Sequence, residues 1–370
     1  MKTKILRVLV VLPVLAIFAA GCSITTTGTP GNATSDASIY LSTDSGATWR
    51  IMTNVPSLDA RPQNITDVNV NLMSVDPEDS MAVYLATFDQ GLYYTYNITN
   101  GWNHVTSLPS ATINDVKVDP KNKCIIYAAT ANKLYRSSDC SRTWTEAYYD
   151  NNANVAVTSI VIDHYNSRNV YISTSRGDII KSISSGTAWR TIQRLDEGIN
   201  QLIISPLDSR KIFVATTKNN IYSFFSNTDT NANNSDDLEQ NFLVSDWTDL
   251  NAVLRDYDLG SNFKDIIINP KDGVMYLATA KLILRSPDNG ITWENIKLLP
   301  PEKDAVINAL AINPQDSSDL YYVTNTAFFH SKDGGATWQT KNLPTKRAGR
   351  ELILDFNHPN NVYLGTVKLK

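Results

Sequence analysis

Seven tryptophans mark this chain at nearly regular intervals, and most of them close the same eight-residue phrase. In full, Ser-x-Asp-x-Gly-x-x-Trp, it runs from Ser42 to Trp49, from Ser286 to Trp293 and from Ser331 to Trp338. Worn copies end at Trp102, Trp144 and Trp189, and Trp247 follows a copy that an insertion has overwritten. Successive tryptophans lie 53, 42, 45, 58, 46 and 45 residues apart. A period in the forties, with strand-type sequence between the marks, predicts a β-propeller.

A second phrase recurs between the tryptophans: an apolar alternation, a turn that often holds proline, then an apolar run ending in threonine. Val116–Pro120 leads to Ile126–Thr130 in this way, and Leu202–Pro206 leads to Ile212–Thr216. The proline falls between strands, where no ladder donor is required. A third strand, the tryptophan turn and a fourth strand follow, so each unit holds four antiparallel strands, and six units are complete. The seventh is split. Leu352–Phe356 and Val362–Thr366 supply its first two strands, and Ser38–Leu41 through Ile51 supply the rest. The expected fold is therefore all-β, a seven-bladed propeller over 38–370 closed by pairing N- and C-terminal strands. Closure of this kind removes free sheet edges. About 330 residues over seven blades leaves roughly 45–50 for each, the usual size of such repeats.

In the tryptophan turn, an aspartate carboxylate is expected to accept a backbone N–H two residues on, while glycine supplies the positive φ. The tryptophan then packs against the hairpin and the neighbouring sheet. These roles fall to Asp44, Asp139, Asp288 and Asp333, with Trp49, Trp144, Trp293 and Trp338. Asn97 and Ser184 replace the aspartate in two worn copies, and Ser141 replaces the glycine in a third. Recurrence in varied form around a ring points to structure rather than catalysis. The phrase resembles the Asp box, or bacterial neuraminidase repeat, of sialidases, sortilin-type receptors, xyloglucanase-type glycosidases and the photosystem II assembly-factor propellers. That resemblance implies a folding motif on the turn between the two outer strands of a blade.

The family comparison also separates the functions. Sialidases need an Arg-Ile-Pro phrase, three arginines and a tyrosine nucleophile; here Arg50-Ile51-Met52 is the nearest stretch, on the wrong strand. Xyloglucanase-type enzymes place their cleft between two propellers, and sortilin-type receptors have ten blades. In size the chain is similar to the photosystem II assembly-factor propellers, which are exported and, in cyanobacteria, carry a lipoprotein signal. The arginine patch of that family is not evident.

At the front end, Lys2, Lys4 and Arg7 precede a short apolar run, Val8–Ala20, and Ala19-Ala20-Gly21-Cys22 follows. This is the layout of a secretory signal over 1–21, too short for a comfortable membrane span. It resembles the bacterial lipobox, which implies lipidation of Cys22 and a membrane anchor, with 22–37 as a flexible tether. The expected location is the bacterial cell envelope, periplasmic or at the cell surface. Loss of three basic residues takes the formal charge from −4 to about −7, which argues against a nucleic-acid partner. An exported compartment permits a disulfide between Cys124 and Cys140, with two unpaired thiols as the alternative. The insertion between Phe225 and Leu243 is rich in Asn, Asp, Ser and Thr and lacks the ordered spacing of a calcium loop. His104, His164, His330 and His358 follow no ligand spacing, so neither a metal nor a cofactor is expected.

Propellers bind ligands around the mouth of the central channel. Counting five residues back from the proline position gives Leu72, Asp115, Ser159, Gln201, Asp265, Ala309 and Glu351. Asp115, Asp265 and Glu351 are the candidate ligand-binding residues, for a cation, a cationic side chain or a sugar; solvated mouth residues are the plainer reading. Tyr148, Tyr149 and Tyr257 suit a contact surface or packing between blades. The expected function is a monomeric, non-catalytic module that binds a protein or envelope polymer. The alternative is carbohydrate binding, or glycoside hydrolysis by paired carboxylates at the mouth.

Overall fold

The computed structural model describes residues 36–57, 63–226, 241–260, 262–300 and 306–369. The leader, Cys22 and most of the insertion lie outside them. Seven four-stranded antiparallel sheets are present, and in six of them the strands follow chain order from the inner edge outward. Blade 1 begins with Val70–Asp76, blade 2 with Ile113–Asp119, blade 3 with Val157–Ile162 and blade 4 with Ile199–Ile204. Blades 5 and 6 begin with Phe263–Ile268 and Ala309–Asn313. Blade 7 is composite: Ala348–Leu354 and Val362–Val367 come from the C-terminus, and Ile39–Ser42 and Arg50–Ile51 from the N-terminus. Ile39 pairs with Gly365 and Ser42 with Val362, so the two ends of the chain close the ring.

The core is distributed. Each of seven apolar clusters sits at one junction between consecutive blades. At the junction of blades 2 and 3, for instance, Tyr127, Ala129 and Leu134 pack on Val157, Ile160 and Ile172. The second strands carry a buried tyrosine that bridges such junctions: Tyr127 Oη donates to Ser185 O at 2.9 Å and Tyr171 Oη to Ser226 Oγ at 2.9 Å. Burial of a large side chain stabilises by about 1.5–3 kcal/mol, so the stabilising apolar burial is spread over all seven junctions.

The tryptophan turns differ from expectation in one respect. Asp44 accepts from the backbone N–H and hydroxyl of Thr48, four residues on, at 2.8 and 2.7 Å. The N–H two residues on, from Gly46, goes instead to Ser42 Oγ at 2.7 Å. Asp139, Asp288 and Asp333 repeat this with Thr143, Thr292 and Thr337. The serine occupies the near donor, so the carboxylate reaches the next one. The two-residue reach sits on the inner hairpin of every blade instead, as an Asx turn in six blades and its serine counterpart in blade 4. Asp76, Asp119, Asp163, Ser205, Asn269, Asn313 and Asp355 each accept there from a backbone N–H two residues on.

The tryptophans staple each blade to the preceding one. Trp338 Nε1 donates to Lys297 O and Trp189 Nε1 to Ala147 O, both at 2.7 Å, and Trp49 meets Phe328 edge-on at 5.4 Å. Cys124 and Cys140 are bonded, joining the second strand of blade 2 to its tryptophan turn. Two features had no sequence signal: a small hairpin of Asn54–Val55 and Gln63–Asn64 between blades 7 and 1, and a single helical turn, Asn251–Leu254. The ends of the insertion, Ser226 and Asn241, both accept from Lys181 Nζ, at 3.1 and 2.6 Å. Lys181 is fully buried, and burial pulls its ammonium down to about 8.

Candidate functional site at the channel mouth

Each inner strand starts at one end of the central channel, and the register of its pairing slips at the same place in six blades. The slips fall between Val70 and Leu72, Ile113 and Asp115, Val157 and Ser159, Ile199 and Gln201, Phe263 and Asp265, and Gly349 and Glu351. In blade 6, Asn308 donates to Val323 O, the residue that Ala309 pairs with. A bulge places two successive residues where regular pleating would place one. The bulge residues are Asn71, Asn114, Thr158, Asn200, Lys264 and Arg350, and Asn308 takes the matching position in blade 6, so the position is polar in all seven blades. They and the seven residues that follow them line one cavity of about 370 Å³ at the mouth. The ring of Leu72, Asp115, Ser159, Gln201, Asp265, Ala309 and Glu351 is thus brought together.

Much of that ring bonds from blade to blade. A bulge leaves a backbone N–H without its ladder partner, and the ring residue of the preceding blade accepts it. Ile160 N donates to Asp115 Oδ2 at 2.7 Å, Leu202 N to Ser159 Oγ at 3.1 Å and Ile266 N to Gln201 Oε1 at 3.2 Å. Met73 N donates in the same way to Glu351. Leu72 offers no acceptor to blade 2, and there Val116 N is taken by Asp115 Oδ1 at 2.8 Å.

Charge in the cavity is mixed. Lys117 Nζ stands 3.1 Å from Asp115 Oδ1. Burial works against the ammonium of Lys117, but Asp115 and the more distant Asp265 and Glu351 raise it above the ordinary lysine value. Asp265 is pushed up to about 6 by burial, against the Gln201 amide that donates to it at 2.9 Å. Glu351 is pushed up to about 8, by burial first and by the Asp265 charge second. At the rim, Arg350 Nη2 donates to Asn71 Oδ1 at 3.0 Å, its guanidinium lies 5.4 Å over the Phe88 ring, and its buried Nε has no partner among the described residues. Lys264 is lowered from the usual lysine value by burial and by Arg350. The three cations were not among the sequence candidates. Lys264 and Arg350 each neighbour a channel-facing residue, which alternation assigns to the opposite face, and only the bulge overrides it; Lys117, two residues beyond Asp115, shares its face by alternation.

The entry-loop aromatics divide. Tyr257 packs between blades 4 and 5 and donates to Trp293 O at 2.6 Å; Tyr148 sits 5.9 Å from Trp189, leaving Tyr149 as the exposed ring. Among the described residues, no group of three or more His, Cys, Asp or Glu could hold a metal ion, and no helix is long and apolar enough to cross a membrane.

No protein-family model matches this sequence, and neither does any curated protein. Solved structures do match. The GH74 xyloglucanase of Xanthomonas campestris is similar at 15% identity and a TM-score of 0.62, over 81% of this chain. The GH74 enzyme of Niastella koreensis is similar at 17% identity and a TM-score of 0.61, also over 81%. This chain spans about half, 51%, of each of those enzymes. YCF48 bound to a D1 peptide is similar at 17% identity and a TM-score of 0.58, over 85% of this chain and 100% of that one. The chain is a seven-bladed propeller that resembles YCF48 along that protein's whole length and GH74 enzymes along half of theirs.

Proposed function

We propose that this propeller is a binding or assembly module that presents its channel mouth to a protein partner. The observation that carries the reading is the set of six aligned bulges, with Asn308 at the matching position of blade 6, which brings seven polar side chains to one rim. A fold defect repeated at the same point in six of seven blades shapes a surface, and bulges concentrate where side chains are re-aimed. The tryptophan turns lie at the other end and are occupied by their own hydrogen bonds. The solved complex of YCF48 with a D1 peptide supports the reading, as a single propeller of this size that holds a polypeptide. A photo-crosslinking residue at Asn114 or Asn200 should trap a reproducible protein in the native cell, and one at Lys332 on the turn face should not. Equal capture from both faces would sink the proposal.

A second reading, glycoside hydrolysis, is favoured by one observation: Glu351 and Asp265 share a cavity, and the higher pKa keeps Glu351 protonated near neutrality, as a general acid requires. A hydrolysis screen tests it. Glycosidase activity lost on Glu351→Ala, Asp265→Ala or Asp115→Ala would replace the first reading with this one. We further propose that the leader directs export and that Cys22 carries a lipid anchor to the envelope. Cys22→Ser should move the protein from the membrane to the soluble fraction, and an unchanged membrane fraction would count against the anchor.

A further inference from the structure

The carboxylates at the mouth suggest a site for a cation. The bulges reverse that order of approach. The residues that a partner meets first are the bulge residues, and these include two cations and no acid. Lys264 makes no hydrogen bond or ion pair among the described residues. Arg350 spends one guanidinium nitrogen on Asn71, lies over Phe88, and keeps its buried Nε without an acceptor. The two are near enough for the Arg350 charge to disfavour that of Lys264. Two like charges turned into one cavity without a carboxylate bonded to either are costly unless something compensates them.

The acids of the next layer compensate only in part. Asp115 is held by Lys117 and by the N–H groups of Val116 and Ile160. Asp265 is bonded to the Gln201 amide. Glu351 accepts from Met73 N and, pushed up to about 8, is largely protonated at neutral pH. The acids beneath the rim thus have partners of their own, and neither Lys264 nor Arg350 has a carboxylate bonded to it among the described residues.

We propose that the mouth receives an acidic peptide segment, with a glutamate or aspartate carboxylate seated between Lys264 and Arg350. Arginine has a planar set of donors suited to a carboxylate, and lysine adds a point charge. The inference rests on the protein-binding reading above and names the chemistry of that partner.

The test uses two fluorescein-labelled peptides with blocked ends, Gly-Ser-Glu-Glu-Ser-Gly and the same sequence with lysine for glutamate, titrated with the full chain and read by fluorescence anisotropy at pH 7.5. The glutamate peptide should bind, and the lysine peptide should bind at least tenfold more weakly. Lys264→Gln or Arg350→Gln should each weaken the glutamate peptide by roughly tenfold, the scale of a charge-assisted hydrogen bond. Arg350→Lys keeps the charge and should retain most of the affinity; Asp265→Asn, which removes a negative charge beneath the rim, should raise it. A matching thermal melt for each variant separates lost binding from lost fold. Tighter binding of the lysine peptide, indifference to Lys264→Gln and Arg350→Gln, or no binding of the glutamate peptide at millimolar protein overturns the inference. If crosslinks at the mouth capture a partner that these two substitutions do not weaken, the acidic segment is wrong and the protein-binding reading survives. If the mouth captures nothing, the protein-binding reading fails first.

Discussion

At the scale of single residues, the tryptophan turn assigns different weights to neighbouring glycines. Gly334 and Gly335 both adopt positive φ, +69° and +88°. A Cβ at Gly334 meets nothing within 4 Å, whereas one at Gly335 collides with Ile296 Cγ2 of blade 5. Gly334→Ala should cost about 1 kcal/mol, the left-handed penalty alone. Gly335→Ala adds overpacking of roughly a further 1–3 kcal/mol. Urea midpoints measure the difference, and equal losses would show that the junction of blades 5 and 6 yields to the extra methyl. Glu351 makes the other residue-scale prediction. Its folded value of about 8 lies above its ordinary 4.5, so the native state holds a proton that the unfolded state releases across that window. Stability from this group is present below about 4.5 and falls as pH rises through 8. Glu351→Gln keeps an oxygen acceptor for Met73 N, as Gln201 does for Ile266 N, and has no charge to bury. A tenfold difference in proton affinity between the folded and unfolded chain is worth about 1.4 kcal/mol. Discounted for water in the channel, the variant should gain roughly 1–2 kcal/mol at pH 8.5 and little at pH 5. A gain that does not depend on pH would contradict this account. Comparing variant with parent at each pH removes the opposite contribution of Lys181.

At the scale of elements, blade 2 tests how far a turn depends on glycine. Its copy of the phrase puts Cys140 and Ser141 at φ 57° and 66°, and Ser141 stands where four other turns have Gly46, Gly186, Gly290 and Gly335. The disulfide from Cys140 to Cys124, the Ser141 hydroxyl shared with Tyr84 at 3.1 Å, and Tyr96 Oη donating to Cys140 O at 2.6 Å hold this turn from both sides. Removing the disulfide by Cys124→Ser with Cys140→Ser should cost about 3 kcal/mol for a loop of this length. Ser141→Gly should stabilise the disulfide-free protein by more than it does the parent, with a coupling above about 0.5 kcal/mol in the double-mutant cycle. Additive effects would mean the disulfide does not support the turn. The same elements show what was legible in advance. Blade count and ring closure followed from tryptophan spacing and the split seventh unit, because a repeated turn leaves a mark at fixed intervals. The channel ring followed from the proline of the inner hairpin. The partners in the turn did not, although threonine precedes tryptophan in all four turns that keep the aspartate. Nor did Lys264 and Arg350, because a bulge is a property of pairing between two strands and leaves no signature in either one.

At the scale of the whole molecule, closure decides whether seven blades form one ring or an open array with a sticky end. Ile39–Ser42 is a middle strand of blade 7, flanked by Val362–Val367 and Arg50–Ile51. Its side chains are buried: Ile39 and Leu41 contribute to the junction with blade 1, and Tyr40 to the junction with blade 6. Asp36 and Ser38 add bonds to the C-terminal segment, from Lys346 N to Asp36 Oδ1 at 2.8 Å and from Thr366 N to Ser38 O at 2.8 Å. Arg347, itself buried, donates to Thr366 Oγ1 at 2.8 Å and to Val68 O, tying the same blade to the segment that enters blade 1. Starting the chain at Thr43 removes this strand and leaves Val362–Val367 with an open row of donors and acceptors. Such an edge pairs with other chains. The shortened protein should therefore elute as larger assemblies than the full chain in light-scattering chromatography and unfold at lower temperature. A synthetic peptide covering residues 36–52 should return the shortened protein to the size of the full chain by adding the missing strand back. A shortened protein that keeps the oligomeric state of the full chain, with unchanged melting, would show that the junction clusters alone hold the ring and that pairing of these two segments contributes little.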